Sequence, residues 1–283
     1  MFKGKLGLSI ALVFLMPIMA VAGSSNPWER KLPFKAATIQ YTLSGMETGS
    51  ETLYIRNQGK ETATYKNSKM SMMGTTTASE TVQIESPDWV YDFDLTTRTG
   101  TKMVNPQKYI IEEYQRLSAS EKRQVEENLK QIGLPMSMAM GGKIEQKVTK
   151  ILGYDCDRVQ MMGTTVYSIH ETGIPLQMES NMMGMNIRKE ATSVNEGAVD
   201  AKYFALPVGI EAVADPQGDA MARSMAQQTI ATLKSPDGAK KMQEQSPINL
   251  MMPQGDGQQM SPEEKQAMEQ AMEMMKGIMG NQQ

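Results

Sequence analysis

From Ala37 the chain alternates. Ala37, Ile39, Tyr41 and Leu43 share one side, with Thr38, Gln40 and Thr42 on the other, the period-two pattern of a half-buried strand. A turn over 45–50 separates it from a second strand at Glu51 to Arg56, and Asn57-Gln58-Gly59-Lys60 reads as a hairpin connection. Residues 61–66 follow, then a strand-like segment holding Met70 and Met72, then 81–85. Trp89, Tyr91, Phe93 and Leu95 alternate with Val90, Asp92 and Asp94 and give the clearest strand of the chain; Met103-Val104 begins the return. Short sequential strands joined by small turns predict an antiparallel meander.

The period then lengthens. Asn105 caps a helix with Pro106 in its first turn, and Tyr109, Ile110, Tyr114 and Leu117 hold helical spacing. Ser118-Ala119-Ser120-Glu121 is a capping box for a second helix, with Val125, Leu129 and Ile132 on one stripe and Gly133 as its stop. Strands resume at 143–152, 157–162, 165–170, 175–180 and 186–194, and a Phe204 segment completes the body near Val213. The expected fold class is α+β, a curved antiparallel β half-barrel with packed helices. Beyond it, 219–233 has helical spacing and 234–259 is rich in Pro, Gly, Gln and Asp, as linkers are. Ser261-Pro262-Glu263-Glu264 then caps a helix carrying Met268, Met272, Met275 and Met279 on one stripe, a surface for a protein partner. The expected divisions are a signal at 1–22, a lead-in at 23–35, the half-barrel at 36–213 and a Met-rich, partly disordered tail with a helix at 214–283.

The N-terminus sets the compartment. Lys3 and Lys5 precede an apolar core from Leu6 to Val21, and Ala20-Val21-Ala22 is a small-residue cleavage site. This is the layout of an export signal, with Gly23 as the expected mature start and the periplasm or medium as the destination. No Cys follows the site, so no lipid anchor is expected there. No later apolar run approaches the ~18 residues of a membrane span. The net charge of −3 has both signs interspersed, without the basic block that nucleic acid requires.

Chemistry is sparse. Cys156 is the only cysteine and His170 the only histidine, so a disulfide scaffold and paired-His metal motifs are excluded. A Cys156–His170 dyad has no third group behind it. Asp88, Asp92 and Asp94 are close in sequence, but Asp92 and Asp94 point away from the aromatic side. No catalytic constellation, cofactor motif or enzymatic activity is expected.

The unusual number is 28 methionines, 25 of them outside the signal once Met1, Met16 and Met19 are set aside. They cluster at Met70, Met72 and Met73; Met136, Met138 and Met140; Met161 and Met162; and Met182, Met183 and Met185. Methionine is flexible and polarizable, suited to adaptable apolar surfaces. The expected ligand-binding side chains are Trp89, Tyr91, Phe93, Leu95, Met70 and Met72, around an apolar, lipid-like ligand. Two alternatives stand beside this. Converging thioethers such as Met182, Met183 and Met185 are a donor set for Cu(I) or Ag(I), and the methionines also serve as ordinary core filler.

Several stretches together resemble a family of uncharacterised bacterial exported proteins similar to the LolA/LolB lipoprotein-carrier superfamily. They are Glu51-Thr52-Leu53-Tyr54-Ile55 with Asn57-Gln58-Gly59-Lys60, Ser86-Pro87-Asp88-Trp89-Val90-Tyr91, Ile151-Leu152-Gly153-Tyr154-Asp155-Cys156, Thr172-Gly173-Ile174-Pro175-Leu176 after the Tyr167 strand, and Glu190-Ala191-Thr192. The resemblance covers residues 36–213. It implies a half-barrel closed by helices, whose apolar concave face shelters acyl chains.

Overall fold

The computed structural model describes residues 26–29, 31–72, 74–139, 143–161, 163–182 and 185–244. The expected export signal and the helix expected to carry Met268 to Met279 lie outside them. The chain divides into units of 1–246 and 247–283, and the second also lies outside the described residues.

Strands β1 (Ala37–Gly45), β2 (Glu47–Arg56), β3 (Glu61–Met72), β4 (Thr75–Glu85), β5 (Trp89–Asp94) and β6 (Thr99–Val104) form one antiparallel meander. Strands β7 (Lys143–Ile151), β8 (Tyr154–Met161), β9 (Thr164–Ile169), β10 (Pro175–Met182) and β11 (Met185–Glu196) form a second. Antiparallel pairing of β1 with β11 fuses the two, and a short β12 (Ala212–Ala214) adds in parallel beside β6. The result is one open, curved sheet of twelve strands, an unclosed half-barrel, in the order β12-β6-β5-β4-β3-β2-β1-β11-β10-β9-β8-β7. Its edges are protected: β12 has three residues, while β7 carries Lys143, Lys147 and Lys150 and breaks register between Glu145 and Thr149. Short edges, lysines and bulges all discourage another chain from pairing there.

Helices α1 (Pro106–Gln115), α2 (Ala119–Ala139), α3 (Pro216–Leu233) and α4 (Gly238–Glu244) make the second layer. α3 touches β6 and α2 touches β7, so the layer meets strands from both ends of the sheet. Trp28, Tyr114, Val125, Leu129, Ile230 and Leu233 form its core. The predicted capping box is present: Glu121 N–H donates to Ser118 Oγ at 3.3 Å, and Ser118 N–H donates back to Glu121 Oε2 at 2.9 Å. Those bonds, with Lys234, pull the Glu121 carboxyl down to about 2. A carboxylate lowered on folding stabilises the protein above its unfolded pKa and loses that contribution as pH falls toward the folded value. Ser118→Ala is therefore expected to lower the melting temperature at pH 7 by more than at pH 2.5, measured by circular dichroism. Equal shifts at both pH values would deny the box this role.

The structure corrects several expectations. The turn over 45–50 is shorter, because β2 starts at Glu47. Gly49 sits within β2 at φ 146°, where a Cβ would lie 2.1 Å from Asn67 O. β4 begins at Thr75 rather than Thr81, since the threonines of 75–77 pair with Met70, Ser71 and Met72. Gly133 does not stop α2, which runs on to Ala139; glycine ends a helix by adopting left-handed φ, and otherwise costs only about 1 kcal/mol inside one. The Phe204 segment is a 3-10 turn, Ala201–Phe204, rather than a strand. Residues 216–244 are not a separate tail: α3 packs on α1, and α4, where linker was expected, packs on α2.

Candidate functional site

Two-residue hairpin loops place methionine at one end of the sheet. Met72 pairs with Thr75, Met161 with Thr164 and Met182 with Met185, each pair flanking a Met-Gly loop. Gly74 at φ 77° and Gly163 at φ 75° supply the left-handed residue that such tight hairpins demand. Met-Met-Gly thus recurs at 72–74, 161–163 and 182–184. Of these, Met73, Met162, Met183 and Gly184 lie outside the described residues, as does Met140. Met46 occupies the β1–β2 turn.

Backbone hydrogen bonds tie these tips into one rim. Ser71 N–H donates to Met46 O at 2.9 Å, Met46 N–H to Asn186 O at 2.8 Å, and Asn181 N–H to Gly163 O at 2.9 Å. β7 also starts at this end. The β5–β6 turn at 95–98 also lies at this end and carries no methionine. The turns at the opposite end, 57–60, 86–88, 152–153 and 170–174, carry none either.

Register also fixes the face, because directly opposed residues of neighbouring strands share one. Met161, Thr164, Ser180, Ile187 and Gly45 form one row. Glu47, Met70 and Thr77 continue it, since Leu43 beside Gly45 opposes Gly49 beside Glu47. That face carries Ile39, Tyr41 and Leu43, which are 0%, 2% and 4% exposed.

The six predicted ligand-binding residues do not converge. Gln40, Thr52, Tyr65, Val82, Phe93 and Gly100 form a row on the opposite face. Trp89 and Tyr91 share that face with Phe93, and Leu95, just past the strand, packs against the Phe93 cluster, whereas Met70 lies on the Tyr41 face. Phe93 is moreover covered: it packs with Ala63, Val82 and Ile84 under Phe204, Ile210 and Ala212. Tyr203 seals the neighbouring strands, stacking on Tyr54 at 3.9 Å and accepting the Tyr65 hydroxyl proton at 3.0 Å through its carbonyl. Trp89 remains 38% exposed, with Lys102 Nζ 5.6 Å from its ring centre. Two described methionines do serve as packing, Met103 beside Tyr109 and Ala226, and Met242 beside the Leu233 cluster.

Just inside the rim, the Tyr41 face turns polar. Glu47, 8% exposed, accepts from Lys66 Nζ at 2.6 Å and Ser68 Oγ at 2.7 Å. Glu51 pairs with Lys189, whose ammonium lies 4.3 Å over the Tyr41 ring. Burial, with Glu51 nearby, pushes the Tyr41 phenol well above its usual range, and its hydroxyl donates to Pro175 O at 2.9 Å. These charges neutralise one another, which is what makes their burial tolerable. Deeper in, Phe34, Ile39, Ile55, Cys156 and Leu176 fill the face.

No Cys–His dyad forms. Cys156 is fully buried and its thiol, raised by burial, donates to Tyr154 O. His170 Nδ1 instead meets Asp157 Oδ1 at 2.7 Å, and Asp157 also accepts from Lys147 N–H, which stabilises the β7 irregularity. Asp92 bonds Gln83 and stands apart from any second carboxylate role. A pocket of 220 Å³ at the β7 edge is lined by Val148, Thr149, Ile151, Arg158, Tyr167 and Gln177. That is below the ~300 Å³ at which drug-sized ligand sites begin. Its one cation, Arg158, is held by Glu145 at 2.8 Å.

No family model matches the chain, and no curated protein matches it. Among solved structures it is similar to an uncharacterized conserved protein from Thermus thermophilus, at 10% identity over 63% of this chain and 90% of that one, with a TM-score of 0.36. It is also similar to PNGF-II at 13% identity, covering 69% of this chain and 33% of that one, again with a TM-score of 0.36.

Proposed function

We propose that the chain is an exported, non-enzymatic binding protein that holds an apolar, lipid-like ligand along the rim end of its half-barrel. The observation that carries this reading is the gathering of Met46, Met70 and the three Met-Met-Gly hairpins at one end of the sheet, with Met70 on the same face as the apolar stripe of β1. Methionine lets such a lip adapt to chains of irregular shape. The deep part of the face is filled, so the ligand lies above Leu43 rather than beneath Phe34. Each buried methylene contributes about 0.8 kcal/mol, so a lip without a charged anchor still binds an acyl chain. The basic–apolar–small pattern of residues 1–22 supports export to the periplasm or medium.

The test is displacement of an environment-sensitive apolar dye by oleate from the mature protein. Met70 is 40% exposed, so Met70→Asp is expected to leave the melting temperature within a few degrees. The same variant places charge on the lip and should weaken dye binding at least tenfold. Unchanged affinity in the folded variant would refute the reading.

A further inference from the structure

We propose that the ligand is an amphiphile with one acyl chain and a zwitterionic head, of the lysophospholipid kind. This rests on the lipid-like reading and gives it a direction across the sheet. The Tyr41 face changes character from one meander to the other. Leu43 pairs with Lys189, and beyond Lys189 the row continues through Met178, Val166, Val159 and Ile144 on β10 to β7. In the other direction it continues through Gly49, Ser68 and Ser79 on β2 to β4. The first arm is apolar from Met178 onward, and Met178, Val159 and Ile144 are half-buried. The second is polar, and Gln83, Asp92 and Thr101, on the same face of β4 to β6, stand exposed.

The apolar arm is one side chain wide. On its rim side Thr164 and Ser180 are cross-strand partners whose hydroxyls bond each other at 2.9 Å. On its inner side Leu176 and Ala191 are buried. Strands stand about 4.8 Å apart, so β10 to β7 offer roughly 14 Å of apolar length. That strip takes one chain lying across the strands and leaves no second strip beside it.

Where the apolar arm ends, charges of both signs alternate. Lys189 pairs with Glu51, Glu51 lies directly opposite Lys66, and Lys66 Nζ reaches Glu47 at 2.6 Å. Lys189 is also the cross-strand partner of Met178, so the series begins where the acyl chain would stop. Lys66 is half-buried and within reach of a ligand. A zwitterion can set its anion by an ammonium and its cation by a carboxylate, leaving none of the four charges unpaired. A purely anionic head meets two lysines already neutralised and, along the Tyr41–Glu51–Lys66–Thr81 row, the further carboxylate of Asp94. Like charges facing each other on a partly desolvated surface cost affinity. The apolar arm thus contributes strength of binding, and the charged series the choice of head.

The experiment is competition for the apolar dye on the full mature chain by three probes that share one oleoyl chain. They are oleoyl lysophosphatidylethanolamine, oleoyl lysophosphatidylglycerol and oleate, each kept below its micelle concentration. The zwitterionic ethanolamine probe is expected to displace the dye at a concentration about tenfold or more below that of either anion. Glu47→Gln with Lys66→Gln removes one pair of opposite charges and keeps polar side chains in their place, and in that variant the preference should fall to about parity. A second measurement needs no variant. Lysophosphatidylethanolamine carrying a photoreactive diazirine at the end of its acyl chain should label β7 and β8. Equal displacement by the three probes, tighter binding of an anion, an undiminished preference in the folded double variant, or labelling of β4 to β6 would each overturn the proposal. Displacement by none of the three would overturn the lipid-like reading itself, whereas equal displacement by all three would leave that reading standing, so the two fail separately.

Discussion

Phe93→Asp is expected to unfold the protein rather than to empty a binding site. Phe93 is 2% exposed, wedged against Val82 and Gly100 and roofed by Phe204 and Ile210. Gly100 is part of the fit, since a Cβ there would lie 2.5 Å from the Phe93 ring. Removing a buried phenylalanine costs about 3–5 kcal/mol, and an unpaired carboxylate in the same space adds several more. Against a total stability of about 5–15 kcal/mol, that sum removes the native state at ordinary temperatures. Circular dichroism of Phe93→Asp should show no cooperative melt. Phe93→Leu should melt cooperatively at a lower temperature, with dye affinity equal to the natural chain, because the substitution lies on the face opposite the rim. A folded Phe93→Asp protein that had lost dye binding would put the ligand under the 201–212 segment instead.

Much of the sheet is legible in the alternation of Ala37 to Leu43 and of Trp89 to Leu95, and both stretches form strands, although only the first has a single covered side: β5 buries Val90 on one face and Phe93 on the other. What alternation cannot tell is which stripe of one strand shares a face with which stripe of another. The Ile39 stripe and the Phe93 stripe look alike in sequence, yet four strand pairings place them on opposite faces. Phe93 is buried by residues more than 100 positions later, and no local pattern announces that cover. The rim was more accessible. Met-Met-Gly stands three times in the sequence, each time where two strands meet with two residues between them. In a meander successive turns alternate between the two ends of the sheet, so hairpin positions alone place 161–163 with 182–184, and 72–74 with the Met46 turn. What no local pattern announces is the β1–β11 pairing, which joins the two meanders and brings both sets to one end. Gly133 misled for the opposite reason: a local stop signal yielded to a helix that continues through it.

Truncation after Val213 is expected to destroy the helical layer, while truncation after Ser246 should leave it intact. Residues 214–244 supply Ile230 and Leu233, 4% and 1% exposed, against Trp28, Tyr114, Val125 and Leu129, and Ala226, 2% exposed, against Tyr109. Re-exposing the surfaces they cover costs about 1.5–3 kcal/mol for each large side chain. The cut also strips Asn128, itself 1% exposed, of both its acceptors: its amide donates to Leu233 O and Ser235 O at 2.7 Å each. A buried donor left without a partner costs about 1–3 kcal/mol more. On the sheet side, Val104 N–H loses the Asp219 carboxylate it donates to at 2.6 Å, so the last strand before α1 loosens as well. The 1–213 protein should therefore lose most of its helical circular dichroism and the slow exchange of its Val125 and Leu129 amides. The 1–246 protein, which keeps every one of these contacts, should melt within about 1 °C of the full chain, inside the roughly 2–4 °C that 1 kcal/mol moves a domain of this size. Cooperative melting of the 1–213 protein at the full-length temperature would show instead that the sheet and α1–α2 stand without α3, and that the packing around Leu233 contributes nothing to the body.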